Sequence, residues 1–338
     1  MRNLLSRDAV AKSQHDAVRN TCGWYNFTHR LVEIKGPDAM RFLDSQYANA
    51  IYKTKVGAAK YTLMLNEDGD IVDDVVIFRL AEDRFWISTF YSNVVCERFA
   101  THKGEYDFEY EVITDSWRMY SVQGPRSKEL VSLIADESIE ELKFFNIRDN
   151  SVGGIPVKIS RGGYTGEKWG FEIYVPFEHA KCIETALEQN GPSVDAMKVT
   201  NNDVKMMTLA CEAGFLFMVD MLGLNPFEVG NDNLIDWSKE FVGKSALEKI
   251  RKEGWRRKLV GYTVDDVDAL IAGSSLYSPH GAPVVLNGKI VGKATKYTCG
   301  FTVGKNIGYA VIDSRTAKIG DHVKLNGYDA VLTKVGVL

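Results

Sequence analysis

After Trp255 the chain changes character, and that change constrains the fold more than any other feature. No long helical pattern follows it. Short β-rich runs at 259–264, 283–287, 290–295, 307–312, 322–326 and 330–337 are punctuated by Asn287-Gly288, Gly320-Asp321 and Asn326-Gly327. Runs of this length with turn dipeptides between them predict a small antiparallel β-barrel of about 85 residues, with the boundary near 252–256. A chain of 338 residues has room for this unit and one or two more.

The upstream two-thirds mix strands and helices. Leu31 to Ile34 reads as a strand closed by Gly36-Pro37, and Asp38 reads as the cap of a helix carrying Met40, Phe42 and Leu43. Residues 61–65 and 70–80 read as strands flanking the turn Asn66-Glu-Asp-Gly69, a hairpin, with a third strand at Phe85 to Ser88. Helices are expected from Gly124-Pro125 to about Ala135, from Pro176 to about Asn190, near 203–213, and from Gly243 to Lys252. The fold class is therefore α+β with a C-terminal barrel.

Several function classes are disfavoured at once. Lys+Arg 41 against Asp+Glu 45 gives a net charge of -4, so a broad nucleic-acid surface is not expected. No apolar run reaches a membrane span, and the opening Met1 to Asp8 has no signal-like apolar core, which predicts a cytoplasmic protein. Cys22, Cys96, Cys182, Cys211 and Cys299 form no Cys-x-x-Cys pair, so neither a disulfide framework nor a zinc site is expected, and no metal is proposed. Glycine-rich nucleotide loops are absent too.

Candidate site residues come from patterning. In the strand at 71–80, alternation puts Asp74 on a face with Val72, Val76, Phe78 and Leu80. Asp73 shares the other face with Ile71, Val75, Ile77 and Arg79, which predicts a partly solvated pair with that arginine. A carboxylate among apolar neighbours is either held by backbone amides or used, and burial raises its pKa. Gly162-Gly-Tyr164-Thr-Gly-Glu167 leads into a strand with Glu172 and Tyr174 on one face; Glu172 suits the N–H edge of a heterocycle, or is merely the polar half of an amphipathic strand. Met206, Met207, Met218 and Met221 surround Glu212-Ala-Gly214, as core filling or as an adaptable pocket floor. Trp24, Tyr25 and His29 form an aromatic group in which the histidine is a pocket base or a core residue. The basic run Arg256 to Lys258, with Lys293, Lys296 and Lys305, is a solvated face or a hold for an anionic tail.

Taken in order, Asn26-Phe-Thr-His29, Gly36-Pro-Asp-Ala39, Tyr61-Thr-Leu-Met-Leu-Asn66, Gly69-Asp-Ile-Val-Asp-Asp74, Gln123-Gly-Pro125, Gly163-Tyr-Thr-Gly-Glu167 with Glu172, Glu212-Ala-Gly214, Asn225-Pro226 and Phe241-Val-Gly-Lys244 resemble the glycine-cleavage T-protein (aminomethyltransferase) family. The likeness runs from about residue 15 to 312. It implies a three-domain cloverleaf around a central channel: residues 1–50 with about 115–200, about 51–114 with 201–252, and the barrel at 253–338. It also implies tetrahydrofolate as cofactor, with Asp74 catalytic and Tyr164, Glu172, Asp74, Met64, Thr89 and Arg257 as folate contacts. Trp24, Tyr25, His29, Glu212 and Met218 become substrate-pocket candidates.

Departures from the family pattern direct the choice of donor. Met206 and Ala210 stand where the family carries two arginines, Met218-Val-Asp-Met221 replaces Tyr-Gly-Asn-Asp, and Thr89 replaces an asparagine. Less charge and more methionine suggest a less polar donor, so the leading expectation is the family's demethylase branch, similar to dimethylsulfoniopropionate demethylases, taking a methyl group from a small molecule to folate N5. The alternatives are an aminomethyltransferase, which needs a lipoyl carrier protein as partner, and a non-catalytic folate-binding protein of the same fold.

Overall fold

The computed structural model describes residues 4–269, 271 and 281–338. Residues 1–3 of the opening segment therefore lie outside the described residues. None of the described helices is long and apolar enough to cross a membrane.

Two sheets and a barrel make up the chain. The first sheet has six strands in the order Ala196–Lys198, Cys22–Asn26, Trp117–Gln123, Gly170–Pro176, Ile155–Arg161 and Ile147–Val152. The second has five, in the order Ala59–Leu65, Ile71–Ala81, Arg84–Thr89, Arg30–Lys35 and Glu109–Val112. The six runs after Trp255 all become strands, and they close in the order Arg257–Val264, Lys305–Asp313, Lys289–Gly300, Pro283–Leu286, His322–Leu325 and Tyr328–Thr333. Every pairing in the barrel is antiparallel, and closure leaves no free edge. The architecture is thus the expected α+β chain with a C-terminal barrel.

Each sheet has one face covered by helices. Ser127–Ile134 and Ala180–Asn190 bury Leu130, Val131, Ile183 and Leu187 against Val122, Phe171 and Ile173 of the first sheet. Ala39–Gln46 and Ser92–His102 bury Phe42, Leu43, Val95 and Phe99 against Val32, Val75 and Ile77 of the second. The opposite faces meet each other through Leu31, Val76, Phe78, Trp86, Met119 and Tyr174. Inward-facing residues of both sheets therefore converge on one interior space.

Two expectations need correction here. The chain passes from the first sheet to the second between Asn26 and Arg30, not near residue 50, because Arg30 to Lys35 pair in register with Thr89 to Arg84. Asp38 does stand at a helix start, yet its side chain accepts from the Asp107 amide at 3.0 Å and makes no cap bond. It ties the helix to a neighbouring loop instead.

Candidate functional site

A bulge interrupts the strand just before the two carboxyls. Opposite the step from Met64 to Leu65, Asp73 pairs with Met64 and Ile71 with Leu65, leaving Val72 as the extra residue. Ile71 consequently packs with Leu63 and Leu65, while Val72 packs with the Val75 and Ile77 cluster, against the strict alternation expected over 71–73. Alternation does hold from Asp73 onward. Asp74 shares the inter-sheet face with Val76 and Phe78, as expected.

On the facing sheet, Glu172 and Tyr174 point into the same space. Glu172 is only 5% exposed, which rules out the solvent-facing alternative. A cavity of about 290 Å³ lies there, lined by Asp74, Glu172, Tyr61, Ser88, Phe145 and Tyr164 among others. Three of the sequence candidates, Asp74, Tyr164 and Glu172, thus meet at one place.

Both carboxyls are perturbed by burial. Desolvation pushes Asp74 up to about 6, opposed by the hydrogen bond that Tyr61 Oη donates to Oδ2 at 3.0 Å. Burial pushes Glu172 up to about 7, opposed by the Tyr174 hydroxyl, which donates to Oε2 at 2.9 Å. Two carboxyls able to exchange protons near neutrality, one on each side of an aromatic-lined cavity, suit proton handling and the N–H edge of a flat heterocycle. Tyr61 was missed as a functional residue; its signal lay in its register with Val76, which puts both on the face of Asp74.

Asp73 corrects the sequence expectation. It is fully buried, accepts from Thr89 Oγ1 at 2.7 Å and from the Asp74 amide at 2.9 Å, and its carboxyl is held well above the usual range by burial and then by the Asp74 charge. Arg79 reaches Glu82 and the Thr54 carbonyl instead. Asp73→Ala should lower unfolding free energy by about 2–4 kcal/mol in urea titrations, since a buried hydroxyl and amide lose their acceptor. Asp73→Asn, which keeps an acceptor, should lose about 1 kcal/mol or less. A loss below 1 kcal/mol for the alanine variant would contradict this placement.

The remaining candidates lie elsewhere. Met64 is fully buried in the helix-side core of the second sheet, on the face of Asp73, and so does not line the cavity. Thr89 holds Asp73 and caps the Tyr91 amide rather than facing the cavity. Trp24 is packed with Tyr120 and Val122 under the helices of the first sheet, and Tyr25 with Val18 and Val199. Neither is in the cavity wall, because alternation puts Trp24 on the helix-covered face and the helix Ala9–Asn20 covers Tyr25.

His29 is a buried support. Its Nδ1 lies 2.9 Å from Ser88 Oγ and its ring 5.5 Å from that of Tyr164, so it backs two cavity-lining residues. Desolvation lowers it to about 4, which leaves it neutral at pH 7. Glu212 is a buried hub, not a pocket residue: Arg19 Nε and Nη2, His15 Nε2, and the Thr302 amide and hydroxyl all reach its carboxylate within 3.1 Å.

Arg257 and Met218 line a different, larger cavity of about 900 Å³ beside the barrel. There Arg257 forks onto Glu228 with two contacts of 2.8 Å, so its charge is already matched. Lys296, counted by sequence with a solvated face, is fully buried and paired at 2.6 Å with Asp220. No local pattern marked that pair, because Asp220 lies in the helix Met218–Met221 and Lys296 in the barrel strand Lys289–Gly300, far apart in sequence.

The described fold carries family resemblance throughout its length. Residues 5–239 match the GCVT N-terminal domain, and residues 257–331 match the glycine cleavage T-protein C-terminal barrel domain. The chain belongs to the glycine-cleavage T-protein family. Curated relatives named aminomethyltransferase include one from Thermoanaerobacter sp. (strain X514), 32% identical over 93% of this chain and 84% of the relative. Another, from Clostridium botulinum (strain 657 / Type Ba4), is 34% identical over 91% of this chain and 82% of its own length. The crystal structure of glycine cleavage system aminomethyltransferase T from Bartonella henselae has a TM-score of 0.84, with 20% identity, covering 97% of this chain and 89% of that one. At that identity it supports the fold alone. Members of the family use tetrahydrofolate as their folate substrate, and the relatives indicate a tetrahydrofolate-dependent transferase.

Proposed function

We propose that the inter-sheet cavity binds tetrahydrofolate and that the protein is an aminomethyltransferase, moving a one-carbon unit from an aminomethylated lipoyl carrier protein. The observation that carries this reading is the pair Asp74 and Glu172, set on facing sheets in one aromatic-lined cavity with both carboxyls raised by burial. Tetrahydrofolate supplies the nucleophilic nitrogen that takes up the one-carbon unit. Glu172 accepts hydrogen bonds from the pterin edge through the oxygen that Tyr174 does not engage. Tyr164 and Phe78 wall the ring, and the surrounding apolar packing excludes water. Asp74 would stabilise positive charge on the folate nitrogen that takes up the one-carbon unit and accept the proton it releases.

The demethylase expectation rested on Met218-Val-Asp-Met221, on Thr89 and on the two family arginines replaced by Met206 and Ala210. Ala210 is fully buried, and neither residue belongs to the lining of the two cavities described above. The name shared by the curated relatives supports the aminomethyl donor.

Calorimetry with tetrahydrofolate should give a dissociation constant in the micromolar range, about 8 kcal/mol. Glu172→Ala should weaken it roughly tenfold to a hundredfold, since the ligand's buried donors lose their acceptor. Given aminomethylated lipoyl carrier, the purified protein should release ammonia and form 5,10-methylene-tetrahydrofolate. Absence of any heat with tetrahydrofolate would remove the folate reading. Methyl-folate formed from a sulfonium or methoxy donor, with no ammonia from the carrier, would instead establish a demethylase.

A further inference from the structure

Phe145 has a backbone conformation its residue type rarely adopts. Among the described residues, four non-glycine positions have positive φ: Phe145 at 57°, Asp195, Asn287 and Asn326. Aspartate and asparagine tolerate the left-handed region because a short polar side chain bonds locally, whereas a bulky ring has no such compensation. Strain of this kind persists only where the surroundings over-determine it, and it concentrates at ligand sites.

What holds Phe145 is plain. Its amide donates to the Arg161 carbonyl of the first sheet at 2.9 Å, and its carbonyl accepts from the Ala59 amide of the second at 2.7 Å. One residue thus joins the two sheets where they wall the cavity. Asparagine or glycine would make both bonds without strain, since both are backbone bonds. The aromatic side chain is therefore not needed for the junction itself. It lies against Phe144 at 4.7 Å and lines the cavity that holds Asp74 and Glu172, on the side of Phe78 and Tyr164.

We propose that Phe145 is a specificity-determining residue, whose ring the left-handed turn delivers into the cavity as a stacking surface for the fused heterocycle of the ligand. This rests on the reading that the cavity takes a reduced folate. The planar aminopyrimidinone half of a reduced pterin stacks on an aromatic face, which an aliphatic side chain does not offer, so the strained phenylalanine favours the pterin end.

The test uses the full chain and four variants, Phe145→Gly, Phe145→Asn, Phe145→Leu and Phe145→Tyr. Tetrahydrofolate and tetrahydropterin, which lacks the aminobenzoyl-glutamate part, are titrated calorimetrically, and ligand-free melting is recorded alongside. The Gly, Asn and Leu variants should bind both ligands at least tenfold more weakly, and Phe145→Tyr should bind within about threefold of the parent. Relief of strain should leave the ligand-free melting temperature of Phe145→Asn at or above that of Phe145→Leu. Parent protein that binds tetrahydrofolate while the Asn and Leu variants bind it equally well overturns the assignment alone, and identifies the ring as core packing. Parent protein that binds no tetrahydrofolate overturns the folate reading and this assignment with it.

Discussion

Asp74→Asn is expected to lower turnover roughly a hundredfold to a thousandfold, about 3–4 kcal/mol, while raising the stability of the folded protein at pH 8. The first effect follows from charge. As the folate nitrogen forms its new bond to carbon, positive charge develops beside a carboxylate already placed in a water-poor cavity, and the amide keeps the shape without that charge. Folate affinity should change less than turnover, because the interaction strengthens only as the bond forms.

The second effect follows from linkage. Folding raises the Asp74 carboxyl from 3.8 to about 6, so the folded protein holds that proton more tightly than the unfolded chain. The stabilisation linked to this group is complete below about pH 4 and is lost as pH climbs through 6. Above that, an ionised carboxylate sits where burial disfavours it. Removing the ionisable group should recover at most about 3 kcal/mol at pH 8, less what the partial exposure of Asp74 screens. Melting of both proteins between pH 4 and pH 8 checks this: the gap should open with rising pH and close near pH 4. A variant with unchanged turnover would leave proximity alone to drive transfer. One that melts lower at pH 8 would show that the carboxylate is structural.

Glu212→Ala should be the most destabilising single change among the residues discussed, at about 3–5 kcal/mol. Its carboxylate joins three separate parts of the molecule: His15 and Arg19 from the first helix, its own helix Leu209–Glu212, and Thr302 beyond the barrel strand Lys289–Gly300. Burial alone would raise this group, but the His15, Thr302 and neighbouring contacts override it and hold the carboxyl at about 2. Truncation leaves the Arg19 guanidinium, itself only 10% exposed, with one carboxylate partner fewer. Here the pH dependence has the opposite sign from Asp74. The folded-state value lies below the usual 4.5, so the contribution is present above pH 4.5 and lost as pH falls through about 2. The difference between parent and variant in urea should therefore narrow over that acidic range. Because Glu212 lies outside the lining of the Asp74 cavity, the variant's folded fraction should retain its turnover. A loss under 1 kcal/mol would contradict the hub.

Local pattern by itself determined much of this protein. Six β-runs separated by turn dipeptides could close only on one another, and they form the six strands of the barrel. Asp74 follows Asp73 on a strand whose side chains alternate between its two faces, so one of the two had to face the interior between the sheets. Spacing also put Glu172 and Tyr174 on one face, and the order of short motifs marked the family. Each of these depends on residues within a few positions of one another.

Tertiary structure alone decided the rest, because partners in space are not neighbours in sequence. Asp73 is buried rather than paired with Arg79 because helices cover its face of the strand and Thr89 arrives from another strand. Glu212 belongs to a hub because helix Ala9–Asn20 brings His15 and Arg19 to it from the far end of the chain. Lys296 is buried against Asp220 although the basic group it forms with Lys293 and Lys305 reads as a solvated face. The strain at Phe145 arises where two sheets compete for one residue's backbone, its amide bonded to one and its carbonyl to the other. No run of side chains encodes that, since a backbone torsion is imposed by both sheets at once.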